Sequence, residues 1–246
     1  MAHTELYILE THFSFNGSAS SIYPVIISNN SEYILVDCGY EGFLPLLEQA
    51  AIQSGTSFQQ LTGVLISHHD IDHIGGLHEI KAAYPYVKIY SADIEEEYIS
   101  GKQKNLRLVQ AESMYESLSE EQKPDALYFQ EIHRKIKPVT VNETFPVMDD
   151  YYLLDGVRII HTPGHMPGHI SVYLEASNTV ISADALVYEN GEFEIANPAF
   201  TLDLPAAVAS VKKIRELQPA AIVCYHGGLV NTGVTEKLDR LVDRYS

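Results

Sequence analysis

Residues 67–76, SHHDIDHIGG, crowd three histidines and two aspartates between an apolar run and a pair of glycines. A packed fold does not need polar side chains at this density, because such groups are rarely buried without a partner. The same residue types recur at the ends of three later apolar, strand-like runs, as His165, Asp184 and His226. Any fold of this chain must therefore bring four separated segments to one polar centre.

Imidazole and carboxylate groups together are ligands that suit zinc, iron and manganese ions. A buried strand before the loop fixes the backbone, while the loop lets several side chains turn inward. If side chains alternate along the loop, positions 68, 70 and 72 face one way and position 73 turns back. The pattern predicts a dinuclear metal site with His68 and Asp70 on one ion, Asp72 and His73 on the other, Asp184 as a bridge, and His165 and His226 completing one site each.

The overall charge restricts the class of partner. The 246 residues carry a formal net charge of −17, and such a surface repels nucleic acid and anionic membranes. We therefore expect a small-molecule substrate, no nucleic-acid or membrane partner, and a homodimer as the default assembly. The N-terminus lacks the basic stretch and apolar core of a signal peptide. Cys38 and Cys224 match no zinc or redox spacing, so we expect buried free thiols in a cytoplasmic protein.

Apolar runs rich in β-branched residues alternate with segments of helical period, and this rhythm predicts sheets covered by helices. The predicted strands cover residues 21–28, 32–37, 61–67, 87–90, 151–154, 157–161, 169–174, 179–182 and 221–225. The predicted helices cover residues 42–54, 77–83, 92–100, 106–122, 204–217 and 234–244.

The character of the chain changes between about residues 93 and 138, where Glu, Gln, Lys and Tyr dominate and strand signals vanish. We predict a single domain over residues 1–246, with a helical insertion at about 93–138 that lies over the sheet edge. Its aromatic residues either line a substrate entrance or anchor the insertion to the body of the domain. These residues are Tyr98, Tyr115, Tyr128 and Phe129.

In the order of its motifs, the chain resembles the metallo-β-lactamase-fold hydrolases over nearly its whole length. The resemblance rests on Asp37-Cys38-Gly39, the His/Asp loop ending in Gly75-Gly76, Thr162-Pro163-Gly164-His165 with Gly168-His169, Asp184 and His226. It implies an α/β fold of the αββα type, in which two mixed sheets pack face to face with helices on the outer faces. It also implies a metal centre at the sheet edge, with His68, Asp70 and His165 on the first ion, Asp72, His73 and His226 on the second, and Asp184 as the bridge.

The activity implied by this resemblance is metal-dependent hydrolysis. A hydroxide bridging two divalent ions attacks an ester, thioester or lactone carbonyl. Asp72 is then expected to orient the nucleophile and relay its proton, while Tyr188 donates to the developing oxyanion. No Gly-x-Ser-x-Gly elbow or phosphate-binding glycine loop suggests a different chemistry.

Two other functions remain open. A diiron redox enzyme is the main rival, because flavodiiron reductases share this fold and carry a carboxylate at the second loop position. Those proteins also have a flavin-binding domain, for which we expect no room in this chain. A small-substrate phosphodiesterase is the other alternative, although the strong negative charge disfavours polyanionic substrates.

Asp70 departs from the usual loop of the family, His-x-His-x-Asp-His, because it stands where the second histidine is expected. It can ligate the metal, it can be too short to reach, or His69 can replace it. We favour direct or water-mediated ligation by Asp70, since His69 points away if side chains alternate.

The carboxylate also changes the charge of the predicted centre. Asp70, Asp72, Asp184 and a bridging hydroxide together cancel the four positive charges of two divalent ions. A neutral centre depresses the pKa of its water less and suits harder ions better. Zinc is therefore the family default, while Asp70 makes manganese or iron plausible.

Overall fold

The computed structural model describes residues 4–15, 17–29, 31–148 and 151–245. Within these ranges the strands are β1 (Thr4–Ile8), β2 (Thr11–Phe15), β3 (Ser18–Ile22), β4 (Val25–Asn29), β5 (Glu32–Val36), β6 (Gly63–Ile66), β7 (Lys88–Ala92), β8 (Glu143–Phe145), β9 (Tyr151–Leu154), β10 (Val157–His161), β11 (Ile170–Leu174), β12 (Thr179–Ala183), β13 (Val187–Glu189), β14 (Glu192–Glu194), β15 (Ala221–Cys224) and β16 (Gly228–Val230). The α-helices are α1 (Leu44–Gln53), α2 (Ile71–Ile74), α3 (Leu77–Ala83), α4 (Asp93–Ile99), α5 (Leu106–Met114), α6 (Lys123–Arg134), α7 (Leu204–Glu216) and α8 (Val234–Arg244).

Two mixed sheets form the centre of the described chain. The first has the strand order β1-β4-β5-β6-β7-β8, and the second has the order β16-β15-β12-β11-β10-β9. In the first sheet β5, β6, β7 and β8 run parallel, whereas β12 and β15 form the parallel pair of the second. Parallel neighbours end at the same sheet edge, so the segments that follow β6, β12 and β15 are brought close together.

The strands of both sheets bury one face against the other sheet and one face against helices. Val25 and Ile27 of β4 belong to the core between the sheets, which also contains Ile159 and Val172 of the second sheet. Ile26, between them in sequence, belongs instead to the core under the helices. This alternation is the period-two pattern of a strand covered on both faces.

Helices cover both outer faces. Leu47 of α1 and Ile80 of α3 pack on the first sheet, and Val211 of α7 and Leu238 of α8 pack on the second. The αββα sandwich predicted from the sequence is confirmed. Cys38 and Cys224 are buried free thiols, as expected.

Two boundaries differ from the sequence prediction. The strand predicted over residues 21–28 is divided, because β3 ends at Ile22 and Pro24 separates it from β4. The single helix predicted over residues 106–122 is wrong, because α5 ends at Met114 and a further helix, α6, starts at Lys123. Pro124 lies in the first turn of α6, where a missing N–H costs nothing.

The short strands β1, β2, β8, β13, β14 and β16 were not predicted, because they are brief or lack apolar alternation. None of the helices in the described ranges is long and apolar enough to cross a membrane.

Candidate metal centre

Four strand ends carry the seven predicted ligands. The loop after β6 holds His68 and Asp70, and the short helix α2 that follows it holds the next two ligands. His165 follows β10, Asp184 directly follows β12, and His226 lies two residues after β15. Ligand atoms of these residues form three groups within 4.8 Å: His68, Asp70 and His165; His68, His73 and Asp184; and Asp72, His73 and His226.

At the second predicted position, two histidine nitrogens each lie between oxygens of two carboxylates. His226 Nε2 lies 3.1 Å from Asp72 Oδ2 and 3.6 Å from Asp184 Oδ1. His73 Nε2 lies 3.8 Å from the same Asp72 oxygen and 3.4 Å from the same Asp184 oxygen. Ligand atoms around a tetrahedral zinc ion are roughly 3.3 Å apart. Asp72, His73 and His226 therefore lie close enough to hold one ion, with Asp184 Oδ1 beside both histidines.

The first predicted position is less regular. Asp70 Oδ2 lies 3.6 Å from His68 Nε2 and only 2.8 Å from His165 Nε2. The other oxygen of Asp184, Oδ2, lies 3.6 Å from His165 Nε2. Asp184 thus turns one oxygen to each position, which is the arrangement of a bridging carboxylate.

The chemistry of these atoms fits a divalent cation. His68 Nε2, His73 Nε2 and Asp184 Oδ1 are buried and make no hydrogen bond within the described part of the chain. A buried polar atom without a partner costs free energy, and a cation between these atoms would satisfy them. The residues present therefore suit the metal that the resemblance implies.

A buried carboxylate orients one of the histidines. Asp37 Oδ2 accepts a hydrogen bond from His73 Nδ1 at 2.8 Å and another from the Ser67 hydroxyl at 2.6 Å. With its Nδ1 proton held there, His73 presents Nε2 to the centre. Asp37 belongs to the Asp37-Cys38-Gly39 motif on which the family resemblance rests.

The side chain of His69 points away from the centre. Its Nδ1 hydrogen-bonds to the buried carboxylate of Glu95, and its Nε2 accepts a hydrogen bond from the Leu106 N–H at 3.3 Å. The Tyr98 ring stacks on the imidazole, with 4.2 Å between ring centroids. Both nitrogens are committed, so the structure does not support replacement of Asp70 by His69.

The partner of Asp70 is an arginine that no sequence pattern singles out. Arg107, on α5, is 2% exposed, and its Nε and Nη2 donate to Asp70 Oδ1 and Oδ2 at 3.2 and 2.7 Å. Burial alone raises the pKa of the Asp70 carboxyl, but the hydrogen bond from His165, the nearby His68 imidazole and the charge of Arg107 together hold this pKa well below its usual range. Asp70 therefore stays ionised.

The electrostatics divide the histidines into two kinds. Burial holds the pKa of His68 well below its usual value and lowers that of His169 to about 3. Burial is again the largest influence on His73 and His226 and lowers their pKa, but the nearby carboxylates, with Asp184 the strongest, together outweigh burial and raise the pKa of both. His169 is not a ligand in this arrangement, because its Nε2 accepts the backbone N–H of Asp184 at 3.1 Å.

A cavity of about 1160 Å³ gives access to the centre. Asp70, Asp72, His165, Asp184 and His226 all line it. One face of α6 forms part of the cavity wall, and Phe200 also lines the cavity. The cavity-lining residues of α6 recur at helical spacing: Asp125, Tyr128, Phe129 and Ile132. Two of the four insertion aromatics thus line the cavity.

Comparison with known proteins places this geometry in a family. The family model of the Metallo-beta-lactamase superfamily matches residues 18–226. The chain belongs to this superfamily. That match spans all seven predicted ligands, so the sequence resemblance is confirmed at the level of the family.

Relatives within the metallo-β-lactamase superfamily are distant. The probable metallo-hydrolase YflN of Bacillus subtilis (strain 168) is 24% identical over 211 residues, which are 81% of this chain and 77% of that protein. An N-acyl homoserine lactonase from a Bacillus species is 35% identical over 71 residues, 28% of each chain. A metallo-β-lactamase family protein of Thermus thermophilus superposes with a TM-score of 0.72 at 20% identity, covering 98% of this chain and 79% of that one.

Tyr188 and Tyr40 both line the cavity of this metallo-β-lactamase chain. The backbone N–H of Tyr188 donates to the His226 carbonyl at 2.9 Å, which fixes β13 beside that ligand. Burial raises the pKa of Tyr40, and so do the charges of Asp72, Asp184 and Asp70, so its hydroxyl stays protonated beside the carboxylates. Tyr40 was missed, although it directly follows the Asp37-Cys38-Gly39 motif.

The backbone beside the predicted ligand His165 requires a glycine at position 164. Its φ is +135°, and an added Cβ would lie 2.2 Å from the Ala207 backbone nitrogen. We expect Gly164→Ala to displace His165. We also expect it to lower the free energy of unfolding by at least about 1–3 kcal/mol, which is the usual cost of a strained backbone. The midpoint of urea unfolding measures the loss.

Gly156→Ala is the matched control for backbone conformation. Gly156 has a φ of +74°, but an added Cβ would meet nothing within 4 Å. Its substitution should cost only the left-handed strain, about 1–2 kcal/mol. Equal losses in the two variants would mean that the contact with Ala207 does not matter.

Proposed function

We propose that this protein is a metal-dependent hydrolase that cleaves an ester, thioester or lactone bond of a small molecule. The observation that carries the proposal is the convergence of seven predicted ligand side chains, five of which line one cavity, with buried nitrogen and oxygen atoms among them left without hydrogen bonds. A bound divalent ion lowers the pKa of water and polarises a carbonyl oxygen. Asp72, Asp184 and the histidines facing them would hold it.

The chain supplies the groups that handle protons. Asp72 lines the cavity with its side chain 15% exposed, and its Oδ2 lies 3.1 Å from His226 Nε2. A carboxylate at this place can orient a water molecule and accept its proton. The Tyr225 hydroxyl donates a hydrogen bond to the Asp72 backbone carbonyl at 2.6 Å and so holds the backbone that carries this carboxylate.

A phenol can donate a hydrogen bond to the substrate oxygen that gains negative charge. We propose Tyr40 for this role beside Tyr188, since the three carboxylates near Tyr40 keep its hydroxyl protonated. Tyr40→Phe and Tyr188→Phe variants distinguish the two residues. The variant that lacks the donating hydroxyl should have a lower kcat with little change in KM.

The cavity walls favour a neutral substrate with an apolar group. Phe129, Ile132 and Phe200 supply apolar surface, while the exposed Asp125 and Glu189 also line the cavity. Among the described lining residues Arg107 is the one arginine or lysine, and Asp70 occupies it. Polyanionic substrates are therefore disfavoured. The partial similarity to N-acyl homoserine lactonases supports lactones as the first substrates to test.

A substrate panel tests the proposed function. We expect the metal-loaded protein to hydrolyse uncharged lactones or esters with apolar acyl chains faster than anionic analogues of the same size. The measurement is kcat/KM for matched lactones, esters, thioesters and phosphodiesters, with oxygen consumption recorded in parallel. Turnover of phosphodiesters alone, or oxygen consumption without hydrolysis, would contradict the proposal in favour of one of the two alternatives.

The metal is part of the proposal. Two divalent ions, zinc by family default, suit the ligand set, with manganese or iron favoured by the oxygen of Asp70. The guanidinium of Arg107 adds a positive charge beside that oxygen. Because of this added charge, the centre is not neutral as the ligand count suggested. The proposed preference for manganese or iron therefore rests only on the oxygen donor of Asp70. We also propose a cytoplasmic location and a homodimer, which fractionation and light scattering test.

A further inference from the structure

We propose that Arg107 makes the two metal positions unequal, so that the second position binds its ion tightly and the first binds only in competition with the guanidinium. This inference rests on the metal dependence of the proposed function and assigns a role to a residue outside the ligand set. Arg107 is here a positioning residue, since it acts through Asp70 and His165.

The guanidinium uses the atoms that the first ion needs. Its Nη2 lies 2.7 Å from Asp70 Oδ2, the oxygen that also faces His68 and His165. The same Nη2 lies 3.4 Å from His165 Nε2. Two of the four predicted ligands of the first position, Asp70 and His165, are therefore turned towards Arg107 and towards each other.

The surroundings hold Arg107 in place. Its Nη1 donates to Gln110 Oε1 at 2.7 Å, and its guanidinium carbon lies 5.2 Å from the centre of the Phe200 ring. With a side chain 3% exposed, the cation cannot turn to solvent without opening the cavity wall. A buried bidentate pair of this kind is costly to separate, because each charge would be left without a partner.

The start of α5 is also tied to the metal loop. The Asn105 side chain caps α5 by accepting the Arg107 and Leu108 N–H groups, and its amide donates to the His69 carbonyl at 2.9 Å. The Leu106 N–H donates to the imidazole of His69. Three consecutive residues of the insertion thus contact residues 69 and 70, which fixes Arg107 relative to Asp70.

The second position has no comparable competitor. Within the described ranges, no arginine or lysine forms an ion pair with Asp72 or Asp184, and the histidine nitrogens there lie 3.1 to 3.8 Å from the carboxylate oxygens. His73 Nε2 and Asp184 Oδ1 have no hydrogen-bond partner to give up. An ion entering this position therefore competes with no arginine or lysine of the described residues, whereas one entering the first position must weaken the Arg107–Asp70 pair.

Calorimetry and equilibrium dialysis of the metal-stripped full-length protein test this inference, with Zn²⁺ and Mn²⁺ as the probes. The wild type should bind one ion at least about 10- to 100-fold more tightly than the second. The double variant Asp70→His with Arg107→Gln restores the usual histidine and removes the cation. It should tighten the weaker ion by the same factor and leave the tighter ion unchanged.

Two further variants keep the test decisive if the double variant folds poorly. Arg107→Lys retains a positive charge but loses the fork that binds both oxygens, and should tighten the weaker ion less than the double variant. Arg134→Gln removes an exposed arginine of the same insertion, paired with Glu112, and should change neither affinity. Circular dichroism establishes that each variant is folded.

The outcomes separate this inference from the proposed function. Two ions of equal affinity in an active wild type would overturn the role of Arg107 and leave the hydrolase proposal intact. A lower affinity for the weaker ion after Arg107 is replaced would also overturn it, since Arg107 would then support that site. Failure to bind either divalent ion would overturn both.

Discussion

Asp72→Ala is expected to lower kcat/KM by about 10²- to 10⁴-fold for the best substrate of the panel. The residue combines two tasks in this metallo-β-lactamase chain, because its Oδ2 faces both His73 and His226 while its side chain reaches the cavity. Alanine removes the proposed proton acceptor and a predicted metal ligand together. Steady-state kinetics on protein of known metal content measure the effect.

Asp72→Asn separates the two tasks. The amide keeps the shape and one oxygen ligand but cannot accept a proton at neutral pH. We expect it to retain more metal than alanine does and still to lose most activity. Asp155→Ala, at an exposed aspartate between β9 and β10, is the control for removing a carboxylate elsewhere. Unchanged activity in Asp72→Ala would refute the assigned centre.

The residues of the site could be predicted where chemistry and strand pattern coincide. His165, Asp184 and His226 each follow an apolar run, and few reasons other than function place such residues there. The alternation of the loop also held for residues 68–70, because His69 points to Glu95 while His68 and Asp70 face the centre. Their role as ligands remains a prediction that the variants above test.

The groups that support the ligands could not be predicted in the same way. Arg107 and Glu95 lie in helices whose distance in sequence from the loop follows no rule, and each resembles an ordinary charged residue of a solvated helix. Only the fold shows that both are buried against residues 69 and 70. Asp70 carried one usable signal, since a buried carboxylate in place of a neutral histidine requires a cation.

The charge of the predicted metal centre shows why it matters that Arg107 was not predicted. Sequence reasoning counted Asp70 as an added negative charge that makes the metal centre neutral. With Arg107 at 2.7 Å, the pair carries no net charge, as the usual neutral histidine would. The carboxylate changes the donor atom from nitrogen to oxygen, and the arginine restores the charge. Electrostatic arguments from a ligand list thus require the next layer of residues.

Removal of the metal is expected to abolish hydrolysis and to lower the Tm by about 5–11 °C. An ion held at 100 times its Kd stabilises the folded chain by about 2.7 kcal/mol, and each kcal/mol shifts the Tm of a chain of this size by about 2–4 °C. The cause lies in the centre itself. Without a cation, the carboxylates of Asp72 and Asp184 both lie beside His73 Nε2, and that nitrogen keeps no hydrogen-bond partner.

Differential scanning calorimetry before and after chelation, and again after Zn²⁺ is restored, measures this shift. Asp184→Asn is the matched variant, because Asp184 turns one oxygen to each position. The amide weakens both positions, so chelation should shift its Tm much less than that of the wild type. A wild-type Tm and activity that survive verified removal of the ion would mean that the buried histidines and carboxylates serve the fold alone. The buried atoms without hydrogen bonds argue against that outcome, since a purely structural cluster would be expected to pair them.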